Sequence, residues 1–165
     1  MLPIMLNSQA SRVGIAGRGE AYARRRRWLQ EAGIEPLSVE PPQEISDVHF
    51  LFVAGCEPGE AAAIADAARA KGTLVHVEDQ PSSCDFYAPA LVRRGDLVIA
   101  VSTGGRAPGL AKLLRQWLDT RFGPEWAGYL DEVGEARTAW RAQGAGAGEL
   151  ASRTEALVTE RDWLG

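Results

Sequence analysis

Three short groups of residues have the types and spacing to do chemistry. The first is Gly17, Arg18 and Gly19, with an acidic residue, Glu40, 23 positions beyond Gly17. A glycine at 17 lets a chain turn sharply out of a strand, and one at 19 lets backbone approach a diphosphate resting on a helix N-terminus. A carboxylate about 20 residues on is placed to accept hydrogen bonds from an adenosine ribose. A plain tight turn is the alternative, and Tyr22 stands where the motif normally takes Gly or Ala for close helix–strand packing. The second group is Glu78 and Asp79, two carboxylates closing the run Val75, His76, Val77. A carboxylate at a strand end, as Asp79 is, can bond local N–H groups. The third is Ser102 to Pro108 (STGGRAP), a double-glycine turn whose backbone N–H groups, without side chains in the way, favour an anion.

The elements that must position these groups alternate. Arg12 to Ala16 reads as a strand, Glu20 to Ala32 as a helix stopped by Gly33, and Ile34 to Val39 as a strand that Pro36 pushes to a sheet edge. Pro41 to Asp47 is a short polar link. His49 to Ala54 is a continuous apolar run, as a central parallel strand covered on both faces requires, and His49 reads as a strand-end residue. Glu60 to Lys71 is an alanine-rich helix closed by Gly72, before the strand Val75 to Val77. This alternation gives an α/β fold with a parallel, doubly wound sheet. Two extended segments follow, Tyr87 to Val92 and Leu97 to Ser102, joined by Arg93 to Asp96. Pro108 suits a first helical turn, and Leu110, Leu113, Leu114, Trp117 and Leu118 have the spacing of a buried helix stripe. Trp126, Tyr129, Leu130, Val133, Ala136 and Trp140 mark another helix. Gly144 to Gly148 reads as a flexible joint before a weak terminal helix. Arg24 to Arg27 reads as a solvated helix face, with a phosphate contact from Arg24 or Arg25 as the sharper alternative.

Bulk properties narrow the function class. The 165 residues are 45% apolar, enough for a sizeable core, and the net charge of −4 argues against bulk nucleic-acid binding. Cys56 and Cys84 match no zinc spacing and no disulfide framework, and neither has a partner that suggests a nucleophile. No apolar run approaches a membrane span, and the N-terminus lacks the marks of a secretory signal. A soluble, cytoplasmic protein is the expectation, without a membrane or nucleic-acid partner and without a resident metal.

Taken together, Leu2-Pro3-Ile4, Gly17 to Glu20, Val77-Glu78-Asp79 with Ala88-Pro89-Ala90, and above all Ile99 to Arg115 (IAVSTGGRAPGLAKLLR) resemble one family. The chain looks like a precorrin-2 dehydrogenase/sirohydrochlorin ferrochelatase, the module also found at the N-terminus of siroheme synthase. The resemblance covers most of residues 1–130 and is strongest from Val75 to Leu118. It implies a Rossmann-like NAD-binding domain over 1–87, a dimerisation segment over 88–122 and a helical C-terminal region over 123–165, in a homodimer. It further implies NAD-dependent oxidation of precorrin-2 to sirohydrochlorin, in many members followed by Fe²⁺ insertion to siroheme, with the divalent metal as substrate. The family's catalytic aspartate falls on Asp79. Its cofactor contacts fall on the turn Gly17, Arg18, Gly19, Glu20 and Ala21, and on Glu40, Pro41 and Pro42. Substrate contacts are expected at Thr103, Gly104, Gly105 and Arg106, with Arg93 among the cationic groups (Arg94, Lys112 and Arg115 beside it) that would orient a tetrapyrrole ringed with carboxylates.

The chain also departs from that pattern. Arg18 stands where relatives have a third glycine, Tyr22 where they have a small residue, and Ala54-Gly55-Cys56-Glu57 replaces an Ala-Thr-Asp-Asp-like loop. The stretch from Glu40 to His49 is too short for the expected helix and strand, so the outermost strand is expected to be missing and NAD binding weakened. Two alternatives therefore accompany the dehydrogenase reading: a chelatase-only member of the family, and a non-catalytic tetrapyrrole-binding or carrier protein.

Overall fold

A computed structural model describes residues 2–7, 9–41 and 44–165, and divides the chain into two compact units, Met1–Ala88 and Pro89–Gly165. Pro42 lies outside the described residues.

The first unit is a parallel sheet with helices on both faces. Its strands are β1 (Val13–Gly17), β2 (Leu37–Ser38), β3 (Phe50–Ala54) and β4 (Leu74–Val77), and its helices are α1 (Gly19–Glu31) and α2 (Pro58–Arg69). The order is β2-β1-β3-β4, all parallel, with Gly14 opposite Leu37 and Leu51, and Phe52 opposite His76. Among the described residues this is the doubly wound order without its outermost strand, as the short link implies. Between β1 and β3 the strand order reverses, and such a switch point opens a crevice at the carboxyl ends of the strands.

Each sheet face has its own core. Ala61, Ile64, Ala65 and Ala68 of α2 pack with Ala16, Leu51, Val53, Val75 and Val77 on one face, and Leu29 of α1 packs with Val13, Ile15 and Phe52 on the other. Ile15 and Leu51 are wholly inaccessible, and each such burial contributes roughly 1.5–3 kcal/mol. The polar link after β2 also carries core. A 3-10 turn at Glu44–Asp47 puts Ile45 at 0% exposure beside Val39 and Val48. A Cβ at Gly14 would lie 2.8 Å from Val39 and 3.0 Å from Val48, so that glycine admits the link directly onto β1. Two valines and an isoleucine thus cover the sheet where a longer crossover is missing.

The second unit holds a hairpin, β5 (Ala90–Arg94) and β6 (Leu97–Val101), and three helices, α3 (Pro108–Arg121), α4 (Trp126–Ala142) and α5 (Ala147–Glu160). The four-residue hairpin connection expected from the sequence is corrected. Arg93 and Arg94 pair with Val98 and Leu97, leaving only Gly95 and Asp96 to turn, with Gly95 at φ 56. Arg94 closes this unit by donating to the carbonyls of Phe122 (2.7 Å) and Asp119 (3.0 Å) and to the Asp119 carboxylate (2.9 Å) at the C-terminal end of α3. The terminal helix is anchored by Leu150, which is buried, and by Trp163 stacked on Tyr129 at 4.3 Å.

The expected burial of the α3 stripe does not hold within one chain. Leu110, Leu113, Leu114 and Trp117 are exposed, Leu113 by 64% and Trp117 by 60%. Among the described residues of this unit only Val92 and Leu150 are buried.

Candidate cofactor crevice and strand-end carboxylate

Because all four strands of the first unit run the same way, their carboxyl ends share one edge. That edge collects Gly17 to Gly19 after β1, Glu40 beyond β2, Gly55 to Glu57 after β3, and Glu78 and Asp79 after β4. The turn after β1 has the geometry its glycines suggest. Gly17 and Gly19 take φ 123 and 73, a Cβ at 17 would collide with the Ala54 carbonyl, and at Gly19 the space is open. Neither Arg18 nor Glu57 caps its helix with its own side chain, although the Glu60 carboxylate accepts a backbone hydrogen bond from Glu57 at the start of α2. The first turn of α1 thus presents backbone N–H groups at this edge. This arrangement fits the diphosphate of a dinucleotide.

The two central turns lock together. Arg18 N–H donates to Ala54 C=O at 3.2 Å, and Gly55, at φ 73, sits so close that a Cβ would strike the Arg18 carbonyl. The Arg18 guanidinium then bonds Glu60 through both nitrogens, Nη1 to Oε1 and Nη2 to Oε2, each at 2.7 Å. This fork raises the Arg18 pKa and holds the Glu60 carboxyl below its usual range. Cys56 lies beside the pair, its thiol pKa pushed up chiefly by burial. Tyr22 does not obstruct the turn: its hydroxyl is 2.9 Å from Ser38 Oγ, and its ring packs on the α1 side of the sheet.

Asp79 is exposed and left-handed, at φ 61. Outside glycine that conformation is tolerated best by Asn and Asp. Its neighbours hold the turn. Cys84 Sγ accepts the Val77 N–H (3.3 Å) and lies within donating reach of the Val77 and Gln80 carbonyls (3.2 and 3.4 Å). Glu78, with a side chain only 12% exposed, pairs with Arg24 at 2.6 Å and faces Arg25 at 3.6 Å. Arg25 in turn lies over the rings of Trp28 and Phe52 at 5.0 and 5.5 Å. The solvated-face reading holds for Arg24 and Arg26, 60% and 39% exposed while pairing with Glu78 and Glu35, and is corrected at Arg25, which is 15% exposed and faces Glu78.

In the second unit the double-glycine turn has φ 64 and 76 at Gly104 and Gly105. Several of its N–H groups are not left open as expected. Gly104 N–H donates to Ser102 Oγ, Arg106 N–H to the Thr103 carbonyl and Ala107 N–H to Thr103 Oγ1, each at 3.2 Å. The hydroxyl side chains fold back onto the loop that was read as bare. Arg93 and Arg106 are exposed, whereas Arg94 is committed to the end of α3 and Arg115 lies 3.6 Å from Asp119. Ile45, Cys84 and Glu60 escaped sequence reasoning; an isolated isoleucine, a lone cysteine and a helix glutamate carry no local signal. Among the described residues no three His, Cys, Asp or Glu side chains converge as a metal-holding group.

Comparison with known proteins agrees with this architecture. A family model described as "Putative NAD(P)-binding" matches residues 4–90, and one described as "Sirohaem biosynthesis protein central" matches 94–119. Siroheme synthase 1 of Pectobacterium atrosepticum is 33% identical over 156 residues, covering 80% of this chain and 32% of its own length. Siroheme synthase of Pseudomonas aeruginosa strain PAO1 is 34% identical over 142 residues, covering 72% of this chain and 30% of its own. The chain spans about a third of the length of the curated relatives it matches. Among solved structures, SirC, a precorrin-2 dehydrogenase, superposes with a TM-score of 0.70 over 97% of this chain and 88% of its own, at 21% identity, a likeness of fold.

Proposed function

The chain belongs to the NAD(P)-binding family whose model covers residues 4–90, and from that premise we propose that it binds NAD and oxidises precorrin-2 to sirohydrochlorin. The names of its relatives and of its structural neighbour support the substrate. The observation that carries the reading is the shared strand-end edge. The N-terminus of α1 without a side-chain cap from Arg18, an open glycine turn and an exposed, conformationally held carboxylate stand there together.

In this reading Gly17, Gly19, Glu20 and Ala21 receive the diphosphate, and Glu40 with Pro41 borders the adenosine half. NAD⁺, when bound, supplies the hydride acceptor. Asp79 takes the proton that leaves the macrocycle as the hydride departs, so that precorrin-2 and NAD⁺ give sirohydrochlorin, NADH and one proton. Thr103, Gly104, Gly105, Arg93 and Arg106 hold the substrate, the two arginines through its carboxylates. The test is NADH formation on adding precorrin-2 to protein and NAD⁺. A rate no greater than without protein removes the dehydrogenase and leaves the metal-inserting or carrier alternatives, which Fe²⁺ and sirohydrochlorin then separate.

A second copy of the chain completes the proposal. A 77-residue unit with two buried side chains lacks the core to stand alone, and the exposed α3 stripe is the surface such a partner would cover. No described helix is long and apolar enough to cross a membrane. We place the reaction in the cytoplasm, a compartment where the free thiols of Cys56 and Cys84 persist.

A further inference from the structure

The Arg18–Glu60 pair does more than decorate the surface. α1 and α2 lie on opposite faces of the sheet, each packed in a separate core. Arg18 is the N-terminal cap position of α1, and Glu60 lies in the first turn of α2. Their bond therefore runs from one face to the other across the carboxyl ends of β1 and β3, the edge at which an open α/β sheet takes its ligand.

We propose that Arg18 is the residue that selects a diphosphate-bearing ligand, and that Glu60 holds it in reserve by competing for the same guanidinium. This rests on the dinucleotide reading above. Position 18 cannot serve an anion through its backbone, because its N–H is already given to Ala54. Nor can its backbone shift, because the Gly55 turn is packed against it. Only the side chain is free to move, and it is 62% exposed. A diphosphate, though tetrahedral at phosphorus, offers a guanidinium two acceptor oxygens as the Glu60 carboxylate does, with more charge, so the exchange needs only a rotation of the arginine.

Calorimetric titration with NAD⁺ at low salt, using the full chain, Glu60→Gln, Arg18→Gly and the double variant, tests this. Both positions are exposed, and melting curves establish that each variant is folded. Removing the competing charge is expected to tighten NAD⁺ binding by about two- to fivefold, the factor an exposed ion pair supplies. In the Arg18→Gly background the Glu60 substitution is expected to change nothing. Equal affinity of Glu60→Gln and the unaltered chain, or the same gain with and without Arg18, overturns the competition while leaving the dinucleotide site intact. Absence of NAD⁺ binding by all four proteins overturns the dinucleotide reading and the competition with it.

Discussion

Arg24 on the first helix lies 2.6 Å from Glu78, the residue immediately before Asp79. The helix that begins at the glycine turn therefore also holds the turn bearing the candidate base. Glu78 is the more constrained partner, with a side chain 12% exposed against 60% for Arg24. Glu78 Oε2 and Arg25 Nε are buried without a hydrogen-bond partner, so Arg25 depends on the nearby charge. Glu78→Ala is expected to cost about 1–3 kcal/mol in denaturant unfolding, by leaving that cation unpaired. Arg24→Ala is expected to cost under about 1 kcal/mol.

Ile45 replaces part of the missing edge of the domain. It is inaccessible and clustered with Val39 and Val48. Ile45→Ala is expected to destabilise by about 2–5 kcal/mol, measured by chemical denaturation, whereas a link lying loosely on the surface would tolerate it.

The contrast between Ile45 and its neighbours indicates what was legible in the sequence. Periodicity and glycine placement revealed β1, α1, β3, α2 and the parallel alternation, because those signals are local. The shortness of the link announced the absent outer strand. That Ile45 would enter the core was not legible, since one apolar residue among polar ones has no period. Pairing of Arg24 with Glu78 spans 54 positions, and a run of arginines says nothing about which distant carboxylate it meets. In the candidate site, Gly17, Gly19 and Asp79 occupy the shared edge expected of them. The Ser102–Ala107 turn misled because its own hydroxyls can satisfy N–H groups that the glycines seemed to leave bare. The α3 stripe was legible as apolar, but a stripe does not say whether its own chain covers it.

His76 gives the fold a pH dependence. Its ring lies against both Phe52 and Phe86, its Nδ1 is 3.0 Å from the Phe86 carbonyl, and burial is the chief cause lowering its pKa from 6.5. The folded state thus holds the neutral ring, while the unfolded chain takes up a proton near the ordinary value. Below about pH 6.5 the unfolded state binds more protons, and stability falls with pH. The melting temperature is expected to decline through this window, and to decline less in His76→Phe.

Charge placed on the α3 stripe tests the second copy. Leu113→Glu and Trp117→Glu are expected to shift the sedimenting species from dimer to monomer. An unchanged mass for both variants would mean that this face is not the interface.

The central claim concerns the carboxylate at the end of β4, and Asp79→Asn tests it most directly because asparagine also tolerates φ 61. The measurement is single-turnover NADH formation from precorrin-2 and NAD⁺ by the two proteins, with melting temperature followed in parallel. The account predicts unchanged stability and a loss of rate of about 10²-fold or more, the contribution of a positioned general base. An asparagine variant that forms NADH as fast as the unaltered chain would contradict it.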